Sequence, residues 1–155
     1  CMGGPPTFRT AATLSSRVRG AATFHGGGLV STQPNSPHLL IPQTRANFLV
    51  AIAQNDDQSQ PTAKDTLRQA FDTAHRPAEV EVYPAQHGWC PPDSGVYSEP
   101  LAEKAWSRLL ALYGKASREL FLIVKRDPAR SFSTAAYRAR RTEAGLASDG
   151  LWATA

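Results

Sequence analysis

Cys1, Asp57 and His87 are the residues of this sequence whose types and order could carry out a reaction together. A cysteine thiolate attacks an acyl carbon if an imidazole takes its proton, and a carboxylate then fixes the imidazole tautomer and stabilises its positive charge. The three occur in the order nucleophile, acid, base, and each is expected at or just after the carboxyl end of a strand. Cys1 is followed by Met2-Gly3-Gly4, residues that suit a sharp strand-to-helix turn. Asp56 is the fallback for the acid. The distance to Pro61 favours Asp57, while either aspartate could instead cap the helix expected to begin near Pro61.

The elements that must position these groups alternate. Helices are expected over 3–16 and 97–113, the second closed by Gly114. A third follows Pro61, because Ala63, Leu67, Ala70, Phe71 and Ala74 have the spacing of one helical face. Strands are expected over 18–24, 47–53 and 79–83. The middle one, Asn47-Phe-Leu-Val-Ala-Ile-Ala53, is apolar on both faces, as a central parallel strand must be. Residues 31–44 hold three prolines and no sustained period, so a loop is expected there. Strands alternating with helices predict an α/β layered fold with a mainly parallel sheet, whose chemistry gathers at the carboxyl ends of its strands.

The set of motifs resembles the dienelactone hydrolase family of the α/β-hydrolases. Cys1-Met2-Gly3-Gly4 is similar to the end of that family's Gly-x-Cys-x-Gly-Gly elbow. Asp57-Gln58-Ser59-Gln60-Pro61 resembles its Asp-x-x-x-Pro acid loop, and His87-Gly88-Trp89 its histidine loop. Pro92-Asp93, Tyr97 and a closing helix with Ala102-Glu103 and Ala105-Trp106 follow. The likeness covers residues 1–113 and makes the chain similar to the C-terminal half of such a domain. It implies hydrolysis of a carboxylic ester or lactone by a Cys1–Asp57–His87 triad through a thioester, without cofactor or metal. The Met2 N–H would serve as one oxyanion donor. His25, beside three glycines at a strand end, could line the pocket or only bond a backbone group, and Trp89 could border the site or only pack. The arginine that relatives carry four residues after the histidine is Pro91 here, so a broader ester or lactone substrate is implied rather than dienelactone itself.

Other readings remain beside this one. A catalytically inactive fragment or pseudoenzyme would share these motifs. A lipoprotein anchored through Cys1 would need a signal segment upstream. An N-terminal-nucleophile amidohydrolase would need a sandwich of antiparallel sheets, against the alternation seen here. Two cysteines make neither a disulfide framework nor a zinc site.

Composition narrows the classes further. The chain is 155 residues long, 41% hydrophobic and 19% charged, enough apolar content for one packed domain. Of its net charge of +4, residues 116–155 supply most, with seven Lys/Arg against four Asp/Glu. The basic balance therefore belongs to a tail, expected to be a poorly ordered extension of a domain over 1–115, and not to a nucleic-acid face. No apolar run approaches a membrane span. The expected setting is cytoplasmic, with a small-molecule ester or lactone as partner and neither nucleic acid nor membrane.

Overall fold

The computed structural model describes residues 1–126, the last eight by backbone alone. The expectations for 127–155 lie outside the described residues. Helix α1 (Gly4–Thr13) leads to β1 (Gly20–Phe24), then β2 (Asn47–Ala53), α2 (Gln54–Ser59), α3 (Ala63–Thr73), β3 (Ala78–Tyr83) and α4 (Glu99–Arg126). The site lies wholly within the compact unit Cys1–Leu120.

The three strands form a parallel sheet in the order β1-β2-β3. Phe24 pairs with Ala51, and Ala53 with Tyr83, so all three strands end along one edge. Strand β2 is buried except at Ile52, as its continuous apolar run requires. Its alternate side chains serve two cores. Phe48 and Val50 meet Phe8 and Ala11 of α1 and Leu67 and Phe71 of α3. Ala51 and Ala53 meet Tyr83, Trp89 and Ala105 of α4 on the other face. The rings of Phe8, Phe48 and Phe71 pack in one cluster at tilted angles, with Phe48 5.0 Å from each of the other two. Truncating Phe71 to Ala would cost about 3–5 kcal/mol.

Helix α1 begins with Pro5 and Pro6 in its first turn, where a missing N–H leaves no intrahelical bond unmade. It buries Phe8 and Ala11, which lie three residues apart on one face.

Three expectations are corrected. Residues 37–43 of the expected loop form a 3₁₀ helix that buries Pro37 and Ile41, with the Thr44 hydroxyl donating to Ile41 O at 2.8 Å. The polar stretch after β2 is helical, as α2. Gly114 does not close the last helix, which runs through it to Arg126. One glycine inside a long helix costs only about 1 kcal/mol against alanine, too little to end it. Residues 116–126 of the expected extension are therefore helical.

Candidate active site

The common strand edge explains how distant residues meet. Leaving β1, the chain reaches His25; leaving β2, it enters α2 with Asn55, Asp56 and Asp57; leaving β3, it turns to His87. Two hydrogen bonds lock the last two segments together. Gln54 N–H donates to Ala85 O at 2.9 Å, and His87 N–H donates to Asn55 Oδ1 at 2.8 Å.

Cys1 comes to the same place through close backbone packing. Gly4 and Gly26 nearly touch: a Cβ on Gly26 would lie 2.2 Å from Thr23 Oγ1 and 3.2 Å from Gly4 Cα. Only glycine allows that approach. It lets Cys1 N donate to His25 O at 2.7 Å and Gly27 N–H donate to Cys1 O at 3.2 Å. His25 itself takes a left-handed backbone, with φ of 42°.

The resulting contacts form a chain. Cys1 Sγ lies 3.1 Å from His87 Nε2, and His87 Nδ1 lies 2.7 Å from Asp56 Oδ2. Cys1 is exposed, and the side chains of His87 and Asp56 each retain about a third of their surface. A small molecule can therefore reach the sulfur. Beside Asp56 a cavity of about 280 Å³ is lined by Gly26 to Gly28, Asp57 and Lys64.

The structure separates the two aspartates at this point. Asp57 does not meet His87; both of its oxygens accept from Lys64 Nζ at 2.9 Å. The two aspartates sit in α2, where consecutive side chains point about 100° apart, so only one can face the histidine. The distance to Pro61 favoured Asp57, whereas the direction of each side chain is set by the helix in which both lie. Asn55 escaped sequence reasoning altogether. Its only signal was its place in the polar stretch after β2.

The two residues expected to line a pocket differ. His25 is buried, with Nδ1 3.7 Å from Cys1 Sγ and its ring 5.0 Å from that of His87. Burial lowers its pKa below the ordinary value near 6.5, and the α-amino charge of Cys1 and the His87 ring act the same way. Trp89 has no exposed surface. Its ring stacks on Tyr83 at 5.1 Å and meets His25 edge-on at 5.0 Å. It therefore backs His25 and does not itself line open space. Met2 stands just before α1 with its side chain exposed.

The ligand atoms of Cys1, His25 and His87 all lie within 4.8 Å of one another, close enough to hold one metal ion. Among the described residues, no helix is long and apolar enough to cross a membrane.

Comparison with known proteins gives a consistent picture. The family model for the dienelactone hydrolase family matches residues 1–117. A protein of Klebsiella pneumoniae subsp. pneumoniae MGH 78578, assigned as a dienelactone hydrolase, is similar at 28% identity and a TM-score of 0.64. That match covers 74% of this chain and 49% of the other. A dienelactone hydrolase-like promiscuous phosphotriesterase from metagenomic libraries is 19% identical, with a TM-score of 0.62. It covers 75% of this chain and 49% of that protein, and at this identity it supports the fold alone. The chain thus spans about half the length of the solved structures it matches. No curated protein matches it. With its family model covering the whole of the described site, and with the parallel α/β sheet that supports it, this chain belongs to the dienelactone hydrolase family.

Proposed function

We propose that this segment carries the nucleophile, acid and base of an ester or lactone hydrolase, with Cys1, Asp56 and His87 in those respective roles and Asp56 in place of Asp57. The observation that supports this reading is the unbroken run from Cys1 Sγ to His87 Nε2 at 3.1 Å and from His87 Nδ1 to Asp56 at 2.7 Å. His87 takes the thiol proton as sulfur attacks the acyl carbon. Asp56 stabilises the imidazolium and holds Nδ1 protonated. The imidazolium then gives its proton to the leaving alkoxide, which departs and leaves a thioester. Water, activated by His87, hydrolyses that thioester and restores the thiol. The Met2 N–H supplies one oxyanion donor, and a second must come from elsewhere in the fold. The substrate is a small carboxylic ester or lactone, and the chemistry calls for neither metal nor cofactor.

The test is p-nitrophenyl acetate hydrolysis by a polypeptide in which this segment is joined to the remaining half of the fold. Cys1→Ala and His87→Ala should each abolish turnover without altering the circular dichroism. Turnover surviving Cys1→Ala would reject the nucleophile assignment.

A second reading applies to the 155 residues alone, which we expect to have little or no turnover. It is motivated by the match to about half of each related structure and by β1 at an open edge of the sheet. Losing one oxyanion donor costs about 10²–10³ in rate. Robust hydrolysis by the isolated chain that depends on Cys1 and His87 would reject this reading.

A further inference from the structure

We propose that Cys1 Sγ, His25 Nδ1 and His87 Nε2 form a binding site for one thiophilic divalent cation, with Zn²⁺ the best match, and that its occupation withdraws the cysteine from nucleophilic chemistry. The hydrolase reading uses Cys1 and His87 but leaves His25 without a chemical task. His25 Nδ1 lies 3.7 Å from the same sulfur and 3.1 Å from the Cys1 α-nitrogen, while His87 Nε2 approaches the sulfur at 3.1 Å.

The geometry suits zinc. With Zn–S near 2.3 Å and Zn–N near 2.0–2.1 Å in a tetrahedron, neighbouring ligand atoms lie about 3.4–3.6 Å apart. The two sulfur–nitrogen distances bracket that value, and all three ligand atoms lie within 4.8 Å of one another. One thiolate and two imidazoles are a donor set of the softness that zinc prefers.

The surroundings add a second, independent argument. A zinc-bound imidazole generally directs its other nitrogen to a carboxylate, which fixes the ring and raises its basicity. His87 Nδ1 does this toward Asp56 at 2.7 Å. His25 is held by its buried position and by the edge-on contact with Trp89. Cys1 is exposed, which gives the ion an entry path and leaves the fourth position to water.

Binding is a simple exchange. The thiol proton leaves to solvent as the sulfur–metal bond forms, and nothing is oxidised or reduced. The His87 Nε2 lone pair, which would otherwise accept that proton, is occupied by the metal. The site itself needs only the three ligand atoms, so it stands or falls separately from the hydrolase reading.

The test is performed on the chain with its Cys1 α-amino group acetylated, so that amine and thiol cannot chelate by themselves. Zn²⁺ is titrated in competition with a chromophoric chelator, and Co²⁺ is used as the spectroscopic probe. We expect one equivalent to bind, with a thiolate-to-cobalt charge-transfer band and tetrahedral visible bands. Cys1→Ser should remove the charge-transfer band. His87→Gln and His25→Asn, the latter chosen because asparagine tolerates a left-handed backbone, should each weaken Zn²⁺ binding by at least about 10-fold. In the acetylated chain without substitutions, ¹⁵N spectra should show His25 Nδ1 and His87 Nε2 shifting together on adding zinc, which answers the question even if a variant misfolds. Absence of saturable binding, binding that survives Cys1→Ser, or a zinc titration that leaves the His25 ring resonances unmoved would each overturn the site.

Discussion

Asp56 Oδ2 lies 2.7 Å from His87 Nδ1, while Asp57, the next residue, is turned away to Lys64. This difference of one position predicts opposite outcomes for two similar substitutions. In a polypeptide with the complete fold, Asp56→Asn should lower kcat for ester hydrolysis by on the order of 10⁴-fold, because the imidazole tautomer is no longer fixed. Asp57→Asn removes a partly exposed ion pair and should cost about 0–1 kcal/mol of stability, with little effect on kcat. Steady-state kinetics of both variants decide the matter; a larger loss in Asp57→Asn would return the acid role to that residue.

Asn55 holds His87 by its backbone. Asn55→Ala leaves the His87 N–H without its partner, at a cost of about 1–3 kcal/mol. The histidine loop should then lose its fixed position, and kcat should fall while the melting temperature drops. A variant equal to the parent in both measurements would mean that the loop is held by other contacts.

The two cysteines should differ in reactivity. Cys90 is partly buried, and that burial pushes its thiol pKa up, so less of it is ionised at any given pH. Cys1 is exposed, with an imidazole nitrogen 3.1 Å from its sulfur. Brief treatment with iodoacetamide at neutral pH, mapped by mass spectrometry, should modify Cys1 first. Raising the pH should narrow the gap. Faster labelling of Cys90 at neutral pH would contradict this assignment of environments.

Tyr83 makes the fold sensitive to alkali. Burial, reinforced by the negative charges of Glu81 and Glu79, pushes its hydroxyl pKa from 10.0 up to about 12. Between those two values the unfolded chain loses the proton and the folded chain keeps it, so stability falls as pH rises. Tyr83→Phe should flatten that fall. Its hydroxyl has no hydrogen-bond partner among the described residues, so the same variant should melt no lower than the parent at neutral pH. Thermal melts of both proteins across the alkaline range would show this, and identical slopes would remove Tyr83 as the cause.

The sequence by itself determined the alternation of strands and helices, because burial periodicity is a local property of the chain. Asn47–Ala53 reads as a central strand from its unbroken apolar run, and β2 has those same limits. The ordered Cys1, the aspartate pair and His87 could also be read, since strand ends in a parallel sheet lie on one edge. The choice within the pair could not, because it depends on whether residues 54–59 form a loop or a helix. Polar side chains alone do not separate those states. Gly114 illustrates the same limit from the other direction: a local stop signal worth about 1 kcal/mol did not end a helix that runs on to Arg126. Only the tertiary structure decided that Asn55 would grip the histidine loop, and that His25 would face the Cys1 sulfur. Both depend on distances across the fold, set by strand register and by the near-contact of Gly4 with Gly26, which no local pattern in the sequence encodes.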